Sequence, residues 1–290
     1  MDKVLIIGGS GFIGSHVADV CSSYGHKVAL LDEKKSRWIK DNQEMIEGNI
    51  LDSKLLNEAM KKASIVFNFA GIADIGDSKD LRIETIESNV VGTAKILESL
   101  VSNKIKKYIH ASSMYVYSDE GSFYAASKKS AEILVEAYNK AFDFDYISLR
   151  YGSLYGPRSQ NWNGVRNFID QIIKKNQVTY SGNGEEEREY INVLDAAKIT
   201  VDLALKNNSN NSYIITGNQS IKTKDLFSII FEILGKEKKI FYENNSSLNQ
   251  HYGHTPYRYS PNKALKIVPS EFTDLGQGLL DLIEEISNEK

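Results

Sequence analysis

The sequence predicts an α/β protein, a doubly wound parallel sheet followed by a smaller C-terminal lobe. Short apolar runs alternate with helical patterns as far as Gly156-Pro157. A glycine-rich turn, Gly8-Gly9-Ser10-Gly11-Phe12-Ile13-Gly14, separates the first run from the first helix. Beyond Pro157 the texture changes: loops lengthen, asparagines cluster (Asn207-Asn208, Asn244-Asn245), and strand candidates become short.

Lys3-Val4-Leu5-Ile6-Ile7 is the kind of run that forms a parallel strand buried on both faces. After the glycines, Ile13, Val17, Val20, Cys21 and Tyr24 recur at helical spacing until Gly25 supplies a stop. Val28-Ala29-Leu30-Leu31 follows as a second strand and ends in Asp32. Further strands are expected at Met45–Glu47, Ile65–Phe69, Lys107–Ala111 and Tyr146–Arg150. Helices are expected near Ser53–Lys62, Arg82–Ser102 and Ala125–Ala141. Right-handed crossovers wind such units into one sheet covered on both faces. Residues 1–157 are expected to form this domain, with some later segments returning to it, and 158–290 mostly the second lobe. The cleft between them is expected at the C-terminal ends of the strands.

A strand–glycine turn–helix gathers free N–H groups and the positive end of a helix dipole at one point, which suits a pyrophosphate. Side chains at Gly8, Gly11 or Gly14 would block the turn, the phosphate, or the packing of helix on strand. Asp32 stands where an acid hydrogen-bonds a ribose 2′-OH, and its carboxylate would repel a 2′-phosphate. NAD is therefore expected over NADP. Lys34, Lys35 and Arg37 could offset that repulsion, although a solvated loop is their ordinary role.

Composition points to a soluble enzyme. The 290 residues can bury a sizeable core. The formal net charge is −3 and no basic stripe with interleaved aromatics occurs, so nucleic-acid binding is not expected. No stretch reaches membrane-spanning length and no signal-peptide pattern is present, so the expected location is cytoplasmic. The single cysteine, Cys21, leaves no disulfide or Cys-rich zinc site. The five histidines show no metal-ligand spacing.

The reacting groups follow from Tyr124-Ala125-Ala126-Ser127-Lys128. On a helix, Tyr124 and Lys128 lie one turn apart on the same face. A free phenol titrates near 10 and is a poor base at neutral pH. An adjacent ammonium favours the phenolate and tunes it toward working pH. Ser113, at the end of a strand, can hydrogen-bond the same substrate oxygen. Alone, Tyr-x-x-x-Lys is ordinarily a surface pair; behind a dinucleotide turn and a Ser-Ser strand end it reads as catalytic.

Together these motifs resemble the extended short-chain dehydrogenase/reductases that act on nucleotide-linked sugars. The likeness covers nearly the whole chain. It continues through Asn68-Phe69-Ala70-Gly71, Asn89-Val90-Val91-Gly92-Thr93, Ser112–Tyr117, Leu149–Arg158 and Arg188–Asp195. The resemblance implies a Rossmann-type sheet with NAD bound by Gly8, Gly11, Phe12, Ile13 and Gly14, and by Asp32, Asn49 and Ile50. It further implies cofactor contacts from Phe69, Ala70, Gly71, Asn89, Tyr124, Lys128 and Tyr151. Ser113, Met114, Ser153, Arg188 and Arg258 are implied on the nucleotide-sugar side. A homodimer is implied too, through the Arg82–Ser102 and Ala125–Ala141 helices, with Ile96, Leu97, Leu100, Ile133, Leu134 and Ala137 available for it.

Within the resembling family, 4,6-dehydratases carry Asp-Glu just after the catalytic Ser or Thr, and decarboxylases keep the glutamate. Here those positions are Met114 and Tyr115. A cysteine of the kind 3,5-epimerase/reductases use would have to be Cys21, which lies in the wrong element. Subtraction leaves hydride transfer at C4. A 4-epimerase is expected first, a 4-reductase or 4-dehydrogenase is the alternative, a 4,6-dehydratase ranks below them, and a non-catalytic dinucleotide sensor or scaffold is the remote alternative. Two departures stand out: Ala73 replaces a usual lysine, and Gly152-Ser153 replaces Phe-Asn. The lost Phe bulk is expected to enlarge the pocket and suit a substrate other than a common UDP-hexose.

Overall fold

The computed structural model describes residues 2–118, 120–206, 209–243, 265–267 and 271–289. The first half runs β1 (Lys3–Ile7), α1 (Phe12–Ser23), β2 (Lys27–Asp32), β3 (Gln43–Glu47), α2 (Ser53–Met60) and β4 (Ile65–Asn68). It continues with α3 (Ile75–Asp80), α4 (Arg82–Ile86), α5 (Gly92–Ser102), β5 (Lys107–Ser113), α6 (Ser122–Ala141) and β6 (Asp145–Tyr151). Next come β7 (Ser153–Tyr155), α7 (Gly164–Lys175), β8 (Val178–Ser181), β9 (Glu187–Asn192), α8 (Val193–Leu205) and β10 (Asn211–Ile215). The last described elements are β11 (Ser220–Lys222), α9 (Thr223–Ile233), β12 (Ile240–Glu243), β13 (Leu265–Lys266) and α10 (Leu275–Asn288).

Every strand expected from the apolar runs is present. They form a parallel sheet in the order β13-β10-β6-β5-β4-β1-β2-β3. The strand residues alternate between two cores, as a sheet covered on both faces requires. Val4, Ile6 and Phe67 pack on the α1–α8 side, whereas Leu5, Ile7, Val66 and Tyr108 pack under α2, α5 and α6. Cys21 is buried in the first of these cores, where loss of hydration pushes its thiol up to about 12. Helix α8 and strands β10 and β13 return from the second half to this body. A third core holds α7, α9 and α10 with β8 and β9.

Two helices differ from their sequence expectation. The Arg82–Ser102 segment is interrupted at Glu87–Val91 by a wide π-type turn, in which Asn89 faces inward. The other helix begins at Ser122, so Tyr124 lies within its first turn behind left-handed Gly121. Ile96, Leu97 and Leu100, which on the sequence could face either a partner or the sheet, are fully buried against the sheet. Ile133 and Ala137 are exposed, and Leu134 is partly buried.

The glycine turn is dictated by contact. Gly8 takes φ +79°, and a Cβ there would stand 2.6 Å from the Phe69–Ala70 peptide. A Cβ on Gly14 would stand 2.2 Å from the Gly8 carbonyl oxygen. Backbone obstructs both positions, so neither tolerates a side chain without displacing β1, β4 or α1. Gly14→Ala should destabilise the protein by more than about 2 kcal/mol in urea unfolding followed by Trp38 and Trp162 fluorescence. Gly25→Ala is the control. Its φ is +84° but nothing lies within 4 Å of the added Cβ, so only the left-handed strain of about 1 kcal/mol is expected.

Candidate active site

The C-terminal ends of β1, β4, β5 and β6 open into a cleft of about 1500 Å³ that continues over α7, β8 and β9. That exceeds the ordinary size of a pocket for one small ligand. At one end stands the glycine turn. Helix α1 has no side-chain cap, and the N–H groups of its first turn have no acceptor within the helix. Phe12 and Ile13 of that turn line the cleft beside Gly11, whose own N–H donates to the Gly8 carbonyl at 3.2 Å. Asp32 lines the same end, held by the Ser10 N–H at 3.0 Å and the Lys34 N–H at 3.2 Å. Asn49 lies beside it and donates to Glu33 Oε1 at 2.6 Å, and Ile50 closes the floor. The uncapped helix terminus, the glycine-rich turn and the acid fit a dinucleotide.

Phe69, Ala70, Gly71 and Tyr151 line the middle of the cleft. Tyr151 is anchored by its hydroxyl to Thr200 Oγ1 at 2.6 Å, and its ring tilts against Phe69. Asn89, expected at the cofactor, does not reach the cleft. Its amide oxygen accepts from the Ile72 N–H at 2.8 Å, and its nitrogen donates to the Ile72 carbonyl and Ser127 Oγ. Gly71, at φ +143°, leaves room for it, since a Cβ would stand 2.4 Å from Asn89 Oδ1. Asn89 shapes the loop after β4 and ties it to α6.

Ser113, Tyr124 and Lys128 all line the cleft. Ser113 ends β5 and its Oγ accepts the Tyr115 N–H at 3.3 Å, starting a tight turn over Met114–Tyr117. Successive residues of such a turn point about a third of a revolution apart. Met114, expected to touch substrate, is therefore buried with Ile75, Ala125 and Ile214, while Tyr115 faces the cleft in its place. The Tyr115 ring packs edge-on against Tyr124 with centroids 5.9 Å apart.

Lys128 crosses from α6 to the sheet. Its Nζ donates to the Ala111 carbonyl at 2.9 Å and lies 5.9 Å from the Tyr124 ring centroid. Burial pulls the ammonium down to about 8, opposed by the Glu132 carboxylate. A buried ammonium beside the Tyr124 ring favours ionisation of that phenol. Burial also holds His110, on the same strand, neutral with a value of about 3.

On the far side of the cleft, Ser153 begins β7, and Arg188 on β9 hydrogen-bonds the Tyr180 phenol. Arg258 lies outside the described residues. Gly152, where the pocket was expected to be enlarged, lines the cleft, and the direction a Cβ would take there is occupied. A Cβ there would stand 2.3 Å from Thr216 Oγ1, whose hydroxyl is fastened to the Glu189 carbonyl. The sequence reading missed Tyr115, Glu132 and Arg150. Glu132 was discoverable, because Tyr124, Lys128 and Glu132 continue one four-residue step along a helix face.

Comparison with known proteins gives relatives of more than one reaction type. A dTDP-D-glucose 4,6-dehydratase of Dictyostelium discoideum is 29% identical over 80% of this chain and 62% of its own length. The chain thus spans under two thirds of that enzyme. A putative UDP-glucose 4-epimerase of Methanocaldococcus jannaschii is 29% identical over 83% of this chain and 85% of its own. Among solved structures, the UDP-N-acetylglucosamine 4-epimerase of Methanobrevibacter ruminantium, in complex with UDP-N-acetylmuramic acid, shares the fold. Its TM-score is 0.87 at 23% identity, covering 100% of this chain and 99% of that one. The family model matching residues 4–216 takes in the glycine turn, Ser113, Tyr124 and Lys128 together, and the chain belongs to the NAD-dependent epimerase/dehydratase family.

Proposed function

We propose that this protein is an NAD-dependent enzyme that inverts C4 of a nucleotide-linked sugar. One observation carries the reading: a buried lysine, a tyrosine one turn away and a strand-end serine line the same cleft as a glycine-rich turn that suits a dinucleotide. NAD bound there supplies the hydride acceptor for the first half of the reaction and the donor for the second. The Tyr124 phenolate accepts the proton of the 4-hydroxyl, and the Lys128 ammonium holds the charge on the phenolate. Ser113 donates a hydrogen bond to the same oxygen and keeps it facing Tyr124. Once the 4-keto sugar has turned over, Tyr124 returns the proton to the oxygen of the inverted centre. Arg188 suits the diphosphate, which a guanidinium can grip with two parallel hydrogen bonds.

Inversion is preferred to dehydration because elimination across C5–C6 needs a carboxylic acid and a carboxylate. The two positions after Ser113 provide a buried thioether and a phenol. A soluble homodimer in the cytoplasm completes the reading. Among the described residues no helix is long and apolar enough to cross a membrane. Helices α4 and α6 pack side by side, and Ile83, Ile86 and Ile133 on them are 65%, 40% and 67% exposed. Adjacent large aliphatic side chains left in water mark a face that a second copy can cover.

Tyr124→Phe should lower kcat by roughly 10²- to 10⁴-fold, with NAD affinity, read by fluorescence titration, within about twofold of the parent. Near-parental turnover would remove Tyr124 as the base. A panel of nucleotide sugars should yield the C4 epimer without net accumulation of NADH. Stoichiometric NADH would instead make the protein a 4-dehydrogenase. NAD should bind at least about tenfold tighter than NADP, and Asp32→Ala should narrow that ratio in isothermal titration. Ile133→Glu should convert the dimer to a monomer in light scattering; a parent that is already monomeric would refute the interface.

A further inference from the structure

We propose that Glu132, Arg150 and Tyr117 are positioning residues. They lock the three catalytic elements in register, and the Glu132 and Arg150 charges set the pH at which Tyr124 ionises beside Lys128. The proposal rests on the reading of Tyr124 as the base.

Arg150 rises from β6 immediately before Tyr151, opposite Ser112 in the sheet register. Its Nε donates to Glu132 Oε1 at 2.9 Å and its terminal nitrogen to Oε2 at 2.6 Å. The second terminal nitrogen donates to the Tyr117 phenol oxygen, and the guanidinium carbon lies 4.7 Å from that ring centroid. Tyr117 closes the tight turn that Ser113 opens. One guanidinium thus joins α6, β6 and the turn after β5. These are the elements that carry Tyr124 with Lys128, Tyr151, and Ser113.

Stability alone is a poor reason for this arrangement. A buried ion pair of 6% and 9% side-chain exposure is commonly matched or surpassed by apolar side chains of the same volume. What apolar packing cannot supply is direction. A planar fork on a carboxylate fixes the helix both along and around its axis, and catalysis is sensitive to displacements of that kind.

The pair also acts through charge. The groups facing Lys128 are Tyr124 and Glu132 on α6, and neutral His110 with the Ala111 carbonyl on β5. Glu132 in turn faces Arg150 and Tyr146 on β6, with Glu136 one turn further along α6. Glu84 and Glu87 line the open cleft. Glu132 is the anion whose field favours the ammonium, and behind it stands a cation. Neutralising Glu132 removes the first and leaves the second uncompensated, so the Tyr124–Lys128 pair should give up its proton at lower pH.

The test uses the intact chain saturated with NAD. Tyrosinate absorbance is titrated against pH, and Tyr124→Phe serves as the blank that isolates the Tyr124 signal. In Glu132→Gln the Tyr124 midpoint should fall by about half a pH unit or more. In Glu132→Gln with Arg150→Met it should return toward the parent, because both charges have gone. Tyr117→Phe keeps both charges, so its midpoint should stay put while kcat drops about three- to tenfold at unchanged KM. A Glu132→Gln midpoint equal to the parent's, with Tyr124 still titrating, overturns the electrostatic role; parental kcat in Tyr117→Phe overturns the positioning role. If Glu132→Gln does not fold, the double variant decides: parental kcat there would also overturn the proposal. If the Tyr124→Phe blank removes no ionisation near neutrality, the reading of Tyr124 as base fails instead.

Discussion

The site depends on keeping one ammonium out of water. Lys128 exchanges its hydration for one carbonyl on β5 and the field of one carboxylate on its own helix. That exchange is unfavourable in isolation. It persists because α6 is pressed onto the sheet by apolar neighbours along its length, among them Ala131 and Val135, which are fully buried. The payoff is electrostatic: a charge in a poorly polarisable seam acts on the neighbouring phenol far more strongly than the same charge in solvent.

The location of the cleft follows from topology. From β1 the chain winds one way to β2 and β3; from β4 it winds the other way to β5 and β6. The loops leaving β1 and β4 therefore diverge and leave a crevice at the carboxyl edge, where such sheets bind ligands. Gly8 and the Phe69–Ala70 peptide meet at that divide. The glycine turn serves the crevice as much as the ligand, since it lets the two loops touch before they part.

Strands and glycines were legible because their signals are local. A short apolar run between breakers has few alternatives, and all six such runs of the first half are strands. Tyr124, Lys128 and Ser113 were legible as a group because the four-residue step of a helix pairs the first two and a strand end supplies the third, and all three line one cleft. Met114 and Tyr115 were not. Sequence neighbours exchange roles when the backbone tightens from strand to turn, and nothing in Ser113-Met114-Tyr115 announces that change. Asn89 was placed at the cofactor, whereas within the π-type turn it is buried and its amide is bound to the Ile72 backbone and Ser127. Ile96, Leu97 and Leu100 could not be assigned to sheet or partner from periodicity alone, since both faces of such a helix can be apolar.

By itself the sequence determined the fold class, the strand set and the glycine turn, each encoded within a few neighbouring residues, and it named Ser113, Tyr124 and Lys128 as candidates for one site. Tertiary structure alone decided which side chains enter the cleft, how Thr216 fills the space beside Gly152, and that Arg150 would find Glu132. Those outcomes depend on elements far apart in the chain meeting at distances of a few ångströms. Residue type and spacing carry no record of such meetings until the packing makes them.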